Sequence, residues 1–280
     1  MSRAKFPKGA LLIAAIALVA IVSTTMGYLG RGGSRIAATR GEESYALEFG
    51  PEFNSFLASR DDLGISVIVA IDSSGSMSDP PKSGGRAKYI QASAALGQVA
   101  DLLERLASGA PSGQVLKVGV LKFDSVVREL LPLTVMDEGG LALLRDLVLD
   151  PENFRPGGST AIGATIECGV RSLSQSGTIL RSLVIVTDGE NTAGVEPAWA
   201  LSAVYGNRNT ASSPELPVST GSTLITFIGF DIDSGAFKRL SAYGPRIASA
   251  TDQSQLALAL SASLEADITK LETPELGEPR

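Results

Sequence analysis

Oxygen-bearing side chains follow three points in the sequence where an apolar or glycine-rich run ends. The apolar run ISVIVAI stops before Asp72, and the pattern D-x-S-x-S then supplies Ser74 and Ser76. Thr160 ends the segment PGGST, and Asp188 follows the run LVIVT. Carboxylate and hydroxyl oxygens are the ligands that hard divalent cations prefer. We therefore expect these five side chains to hold a metal ion that still accepts an anionic oxygen, such as a carboxylate of a partner protein.

Each of these fragments also has an ordinary structural interpretation. Ser and Asp cap helices and form turns, so D-x-S-x-S alone is a common loop. The segment GGST alone is a glycine-rich turn before a helix, and TDGE alone is a turn. Their occurrence together, in this order and next to predicted strand ends, favours a metal site.

Short apolar runs alternate with amphipathic segments from residue 64 onward. The predicted strands are 65–71, 117–123, 126–133, 181–187, 222–230 and 246–250. The predicted helices are 86–107, 140–149, 160–176, 196–206, 234–244 and 253–271. This alternation is typical of a doubly wound α/β fold with a mainly parallel, six-stranded sheet.

Three local features refine this prediction. Pro132 has no amide hydrogen, so strand 126–133 is expected at an antiparallel edge, paired with its neighbour as a hairpin. Ser159 or Thr160 is expected to cap the helix 160–176, and Trp199 is expected in the core. Since sheets of this class bind ligands at the carboxyl ends of their strands, the oxygen-bearing segments lie where a site is expected.

Composition excludes several classes of function. The chain has no histidine, which removes Ser-His-Asp catalysis and the usual zinc sites. Its only cysteine is Cys168, so no disulfide forms within the chain. The net charge is −6 although residues 1–40 carry only basic charges, so the remainder is acidic and nucleic acid is not an expected partner. We predict no catalytic residue.

The N-terminal segment has the composition of a membrane helix. The run from Gly9 to Gly30 carries no charge and is long enough to cross a bilayer, and Arg3, Lys5 and Lys8 precede it. Two alternatives are a cleaved signal peptide, for which no A-x-A site follows, and a buried core helix. The anchor interpretation predicts a single-pass membrane protein whose acidic body lies outside the cytoplasm, in the periplasm or the extracellular space.

The chain divides into four predicted parts. Residues 1–30 are the membrane anchor or signal segment, 31–61 a linker or stalk, 62–270 the folded domain and 271–280 a polar tail. Gly158, Ser159 and Glu190 flank the predicted metal ligands and are expected to form a rim around them. For Glu190, an ordinary solvated loop position is the alternative.

The three segments together resemble the von Willebrand factor type A domain with a metal-ion-dependent adhesion site. Over about residues 62–270, Asp72, Ser74, Ser76, Thr160 and Asp188 match the family's site. The resemblance implies a six-stranded sheet and bound Mg²⁺, with Mn²⁺ or Ca²⁺ as alternatives, partly held through water. It also implies that an acidic residue of a protein ligand completes the metal's shell.

A narrower resemblance concerns bacterial membrane proteins of the Bat type, which are linked to MoxR-type AAA+ ATPases. The segments TDGENTAGVEP and GGSTAIG carry it, whereas the polar end ETPELGEPR departs from the second membrane helix usual there. Three functions follow as alternatives. They are protein binding through the metal, assembly or chaperone work with such an ATPase, and metal-dependent hydrolysis, which the lack of histidine disfavours.

Overall fold

The computed structural model describes residues 62–109, 115–205, 223–232 and 234–272. Six strands are present in these residues: β1 (Asp62–Asp72), β2 (Val115–Phe123), β3 (Val127–Val135), β4 (Thr178–Thr187), β5 (Thr223–Phe230) and β6 (Arg246–Ala250). Five α-helices accompany them: α1 (Lys88–Gly109), α2 (Glu138–Leu149), α3 (Ile162–Ser174), α4 (Pro197–Tyr205) and α5 (Gln253–Glu272). The predicted alternation of strands and helices is confirmed.

The strands form one sheet in the order β3-β2-β1-β4-β5-β6. Strands β2, β1, β4, β5 and β6 are parallel, and β3 pairs antiparallel with β2. The sheet therefore matches the predicted mainly parallel fold with one antiparallel edge strand. Because the chain runs outward from β1 in both directions, a topological switch point lies between β1 and β4, where ligands bind in open α/β sheets.

The two faces of the sheet bury separate hydrophobic clusters. Along β1, Val67 and Val69 pack into one cluster with residues of α1, α2 and α5, whereas Ile68 and Ala70 pack into the other with residues of α3 and α4. This alternation follows from the two-residue period of a strand. Because helices cover both faces of the sheet, successive residues of β1 are apolar on either side. This apolar stretch ends at Asp72, the last residue of the strand.

The edge strand β3 departs from regular pairing. Its register with β2 shifts between Val118 and Val120 and again between Val120 and Leu121, and Pro132 is exposed in this stretch. A proline that faces solvent at a sheet edge leaves no ladder hydrogen bond unmade. The edge position predicted from Pro132 is confirmed.

Two local predictions are wrong. The segment predicted as one helix over 234–244 contains two single 3-10 turns, Ser234–Phe237 and Leu240–Tyr243, and Gly244 ends the second with a φ of 100°. Trp199 is 49% exposed rather than in the core. On α4 the buried residues are Pro197, Ala200 and Leu201, at helical spacings of three and four, so the position of Trp199 faces away from the core.

The predicted membrane segment 1–30 and the linker 31–61 lie outside the described residues, as do positions 273–280 of the predicted tail. Among the stretches that the structure describes, no helix combines the length and the apolar character needed to cross a bilayer.

Candidate metal site

Asp72 is the last residue of β1 and is fully buried at the switch point. Its Oδ1 accepts the amide hydrogen of Ser74 at 2.7 Å, and its Oδ2 accepts the hydroxyl hydrogen of Thr187 at 2.5 Å. Thr187 is the last residue of β4, so this contact joins the two strands that flank the switch point. Both carboxylate oxygens are thereby fixed in orientation.

Burial raises the pKa of Asp72 from 3.8 to about 6. Removal from water disfavours the charged form, and the negative charge of Asp188 adds to the effect, while the hydrogen bonds from Thr187 and Ser74 oppose it. A carboxylate that is costly to ionise in this position is stabilised by any cation placed next to it. The electrostatics of the site thus favour a positively charged ligand.

The two serines of the D-x-S-x-S pattern connect β1 to Asp188. Ser74 Oγ lies 3.2 Å from Ser76 Oγ, and Ser76 Oγ donates to Asp188 Oδ1 at 2.7 Å. The side chain of Asp188 is only 1% exposed, although it follows the end of β4 in a loop. Asp72, Ser74, Ser76 and Asp188 are therefore linked in series by hydrogen bonds, the first of which comes from the backbone amide of Ser74.

Thr160 is brought to the same place by the backbone of its loop. Gly75 donates its amide hydrogen to the carbonyl oxygen of Gly158 at 3.1 Å, and Gly157 donates to that of Ser73 at 2.7 Å. These bonds tie the segment before Thr160 to the turn that carries the serines. Thr160 itself is 5% exposed. All five predicted ligands thus lie in segments that contact one another at the carboxyl edge of the sheet.

The loop after Asp188 fixes the backbone on both sides of Thr160. Thr160 donates its amide hydrogen to Thr192 Oγ1 at 2.8 Å, and its carbonyl oxygen accepts from the amides of Thr192 and Ala193 at 2.9 and 3.1 Å. Asn191 Oδ1 accepts the amide hydrogens of Ile162 and Gly163 at 2.8 and 3.4 Å.

The prediction that Ser159 or Thr160 caps helix α3 is wrong. The helix begins at Ile162 with Ala161 at the N-cap and no cap from its own side chain. Asn191 satisfies the orphan amides instead, and the backbone of Thr160 is held by the neighbouring loop. Sequence reasoning missed Asn191 because a cap supplied from a distant loop leaves no local signal.

The place of Lys88 at this site was also not predicted from the sequence. Lys88 begins α1, and its Nζ lies 2.9 Å from Asp188 Oδ2 and 3.8 Å from Asp231 Oδ2. Its side chain is 11% exposed. A signal existed, because Lys88 precedes the buried residues Ala92 and Leu96 by four and eight positions and so lies on the apolar face of the helix.

The predicted rim residues lie at the surface, close in sequence to Thr160 and Asp188. Gly158, Ser159 and Glu190 are exposed. Gly158 has a φ of 74°, and a Cβ there would meet Ser125 Oγ at 2.6 Å, so glycine suits the turn both in conformation and in space. Ser125 Oγ also accepts the amide hydrogen of Ser159 at 2.9 Å, which orders this part of the rim.

The donor set fits a hard divalent cation. It consists of two carboxylates and three hydroxyl-bearing side chains, and oxygen is the only side-chain donor type among them. In the part of the chain that the structure describes, no group of three or more His, Cys, Asp or Glu side chains is placed to bind a metal. A metal held here would therefore depend on the hydroxyl oxygens as well as on Asp72 and Asp188.

Fold and site together define a doubly wound α/β domain with a cluster of oxygen-bearing side chains at its switch point. Residues 67–190 match the family model of the von Willebrand factor type A domain. The match spans less than half of the chain and agrees with the family resemblance that the sequence motifs indicate. No curated protein resembles the sequence closely enough for a significant match.

Solved structures with a similar fold come from several bacteria. The PilB minor pilin from Streptococcus sanguinis has 15% identity and a TM-score of 0.55, with 78% of this chain and 64% of the pilin covered. A von Willebrand factor type A protein from Catenulispora acidiphila has 19% identity and a TM-score of 0.54, with 72% of this chain and 42% of that one covered.

A third similar structure is an aerotolerance-related membrane protein from Bacteroides fragilis with multiple mutations to serines. Its identity is 20% and its TM-score 0.50, with 74% of this chain and all of that chain covered. At these identities the similarity concerns the fold.

Proposed function

We propose that the protein is a membrane-anchored, exported binding domain that captures a protein partner through a divalent cation. Asp72, Ser74, Ser76, Thr160 and Asp188 would hold the cation, with Mg²⁺ as the expected ion and Mn²⁺ or Ca²⁺ as alternatives. When bound, the cation supplies a Lewis-acidic position for a carboxylate oxygen of the partner. The function is binding, with no bond cleavage, and no catalytic residue is assigned.

The observation that carries this proposal is the series of hydrogen bonds that links Asp72, Ser74, Ser76 and Asp188 across the switch point. Ser76 joins the D-x-S-x-S turn to the loop after β4 through its 2.7 Å bond to Asp188, so both carboxylates belong to one cluster. Asp72 and Asp188 are buried, and two buried carboxylates repel each other unless a cation or a proton lies close. Lys88 meets that requirement at Asp188, 2.9 Å away, and a bound metal ion would meet it for both carboxylates.

The rim supports a protein ligand. Gly158 and Ser159 are exposed and carry no bulky side chain, and the exposed Glu190 adds a negative charge shortly after Asp188 in the sequence. A partner would present one acidic side chain to the cation and polar groups to the rim. Glu190 would then help to select the partner by repelling acidic neighbours of the bound residue.

The membrane part of the proposal rests on the N-terminal sequence. Residues 1–30 would anchor the chain, residues 31–61 would act as a stalk, and the domain would face the periplasm or the extracellular space. The basic residues before the apolar run favour this orientation. Fusions of reporter enzymes to the C-terminus, active only inside or only outside the cytoplasm, test it directly.

The experiment that tests the function is a pull-down from native membranes with the full chain as bait. It is run in Mg²⁺ and in EDTA, with Thr160→Ala as the variant and Thr134→Ala, at the far edge of the sheet, as the matched control. The Thr160→Ala change removes the hydroxyl and keeps the backbone bonds of residue 160.

A partner recovered in Mg²⁺ by the wild type and by Thr134→Ala, and lost with Thr160→Ala or EDTA, supports the proposal. Equal recovery under all conditions overturns it. Recovery of an AAA+ ATPase as the metal-dependent partner would favour the Bat-like assembly function instead.

A further inference from the structure

Lys88 places a buried ammonium group at the proposed metal site. It lies at the first position of α1, and its side chain is 11% exposed. The Nζ donates to Asp188 Oδ2 at 2.9 Å, while Asp188 Oδ1 accepts from Ser76 Oγ at 2.7 Å. Asp188 is therefore bonded to a cation of the chain itself through one oxygen and to a neighbouring hydroxyl through the other.

A second carboxylate lies within reach of the same ammonium. Asp231 directly follows β5, at the same edge of the sheet as Asp72 and Asp188, and its Oδ2 is 3.8 Å from Lys88 Nζ. The side chain of Asp231 is 8% exposed. Lys88 thus stands between two acceptors, with the closer contact to Asp188.

Asp231 is held firmly in its place. Its φ is 60°, in the left-handed region that non-glycine residues seldom adopt, so the surrounding contacts must maintain it. Its amide donates to the carbonyl oxygen of Ala250 at 2.7 Å, and its Oδ2 accepts the amide hydrogen of Lys82 at 3.1 Å. The second acceptor is consequently preformed.

The charges in this cluster are unequal. Asp72, Asp188 and Asp231 are all buried or nearly so, and Lys88 is the ammonium that contacts two of them. The side-chain ammonium of Lys82 donates to the backbone oxygen of Asp231, at 3.4 Å. Breaking a buried ion pair leaves an uncompensated charge. Without Lys88 or another cation, the buried negative charge of Asp188 would therefore strongly destabilise the folded state.

We propose that Lys88 is a built-in counter-cation that competes with the divalent metal for Asp188, with Asp231 as the acceptor of its ammonium in the metal-bound state. The proposal rests on the proposed function, since it assigns the residue that sets the metal affinity of that site. Lys88 keeps the metal-free domain folded by neutralising Asp188. It also weakens metal binding, because its positive charge must lose its closest contact.

The position of Asp231 gives this exchange a low cost. The ammonium needs to shift only between two oxygens that lie 2.9 and 3.8 Å away, and it stays paired throughout. Removing Asp231 would strand Lys88 once Asp188 turned to a metal. If the ion pair between Lys88 and Asp188 were purely structural, replacing Lys88 would damage the local fold and weaken metal binding, which is the opposite result.

The test measures metal affinity and stability of the full chain, purified in detergent, as wild type and as Lys88→Met, Asp231→Asn and the double variant. Isothermal titration with MgCl₂ and with MnCl₂ gives the dissociation constants, and thermal unfolding in EDTA gives the stability without metal. Asn tolerates a positive φ and keeps an oxygen for the Lys82 amide. Lys117→Met is the matched control, because Lys117 binds the carbonyl oxygen of Ser176 away from this cluster.

We expect Lys88→Met to lower the dissociation constant of the metal about tenfold. The same variant should have a lower melting temperature in EDTA, and added metal should raise that temperature again. Asp231→Asn should raise the dissociation constant several-fold in the wild-type background and change it little in the Lys88→Met background. The control should match the wild type.

If the wild type binds metal and Lys88→Met binds it equally well or more weakly, the proposed role of Lys88 is overturned. The proposed metal site is unaffected by that result. Equal effects of Asp231→Asn in both backgrounds overturn the role of Asp231 as acceptor. Failure of the wild type and of every variant to bind either metal overturns the proposed site together with this inference. If Lys88→Met does not fold, Asp231→Asn is compared with Lys88→Arg instead. Weaker metal binding by Asp231→Asn but not by Lys88→Arg supports the exchange. Unchanged metal binding by Asp231→Asn contradicts it.

Discussion

Asn191 and Ile162 are 29 residues apart, and the side-chain oxygen of Asn191 accepts the amide hydrogen of Ile162 at 2.8 Å. This bond caps helix α3 from the loop that follows β4. The same loop bonds both the amide and the carbonyl group of Thr160. The loop that carries Asp188 and the loop that carries Thr160 therefore form one structural unit at the edge of the sheet.

Replacing Asn191 by Ala should loosen this unit. Two amides at the start of α3 lose their acceptor, and loss of such a cap costs about 1 kcal/mol of unfolding free energy. We also expect weaker binding of Mg²⁺, since Thr160 is held less firmly. Urea denaturation in EDTA and titration calorimetry measure the two effects, with Thr134→Ala, at the far edge of the sheet, as the control. An unchanged denaturation midpoint in Asn191→Ala would contradict the capping role.

Gly163 provides a test of the contact between α3 and the same loop. A Cβ at this position would overlap the carbonyl oxygen of Val195. Gly→Ala within a helix normally stabilises it by about 1 kcal/mol, but here we expect a loss of about 1–3 kcal/mol because the backbone must move. Gly157→Ala is the control, since no heavy atom lies within 4 Å of a Cβ there. If chemical denaturation finds both variants as stable as the wild type, the close approach is not maintained in solution.

The raised pKa of Asp72 predicts how stability depends on pH. The pKa is about 6 in the folded, metal-free domain and 3.8 ordinarily, so the folded state favours the protonated form. The resulting stabilisation is complete below about pH 4 and is lost as the pH rises through about 6. In EDTA, the wild type should therefore lose up to about 3 kcal/mol relative to Asp72→Asn between pH 4 and pH 7.5.

Denaturation at the two pH values measures this difference. Saturating Mg²⁺ should reduce or reverse the loss, because a cation stabilises ionised Asp72. A constant difference between wild type and Asp72→Asn at both pH values would show that burial does not shift this carboxyl.

Trp199 and Leu201 form a matched pair on α4. Trp199 is 49% exposed and Leu201 is fully buried. We expect Trp199→Ala to change the unfolding free energy by less than about 0.5 kcal/mol, whereas Leu201→Ala should cost about 2–5 kcal/mol. Trp199 is the single tryptophan of the chain, so its fluorescence should be readily quenched by acrylamide in the folded state. Protection from the quencher would place the side chain against a partner surface.

The sequence predicted those parts of the fold that are encoded in local patterns. The apolar runs of β1 and β4 are continuous because helices cover both faces of the sheet, and the proline in β3 excludes an interior strand. Asp72, Ser74 and Ser76 follow a strand end directly, so their location could be derived from the sheet topology alone.

The roles of Lys88 and Asn191 could not be derived in this way. Each depends on partners 100 and 29 residues away, and their side-chain types are equally common on solvated surfaces. Trp199 was misplaced for a related reason. Its size favours burial in general, but the spacing of the buried residues on α4 decides which way it faces.

The exposed proline and the shifted register of β3 determine how this domain can meet another chain. An edge strand with regular unpaired amides is a template onto which a further strand can be added, from a second copy or from an unfolding neighbour. Pro132 removes one amide from that template, and the irregular pairing with β2 twists the remainder. Strand addition at this edge is thereby disfavoured, which is consistent with the proposed partner binding at the carboxyl ends of β1 and β4.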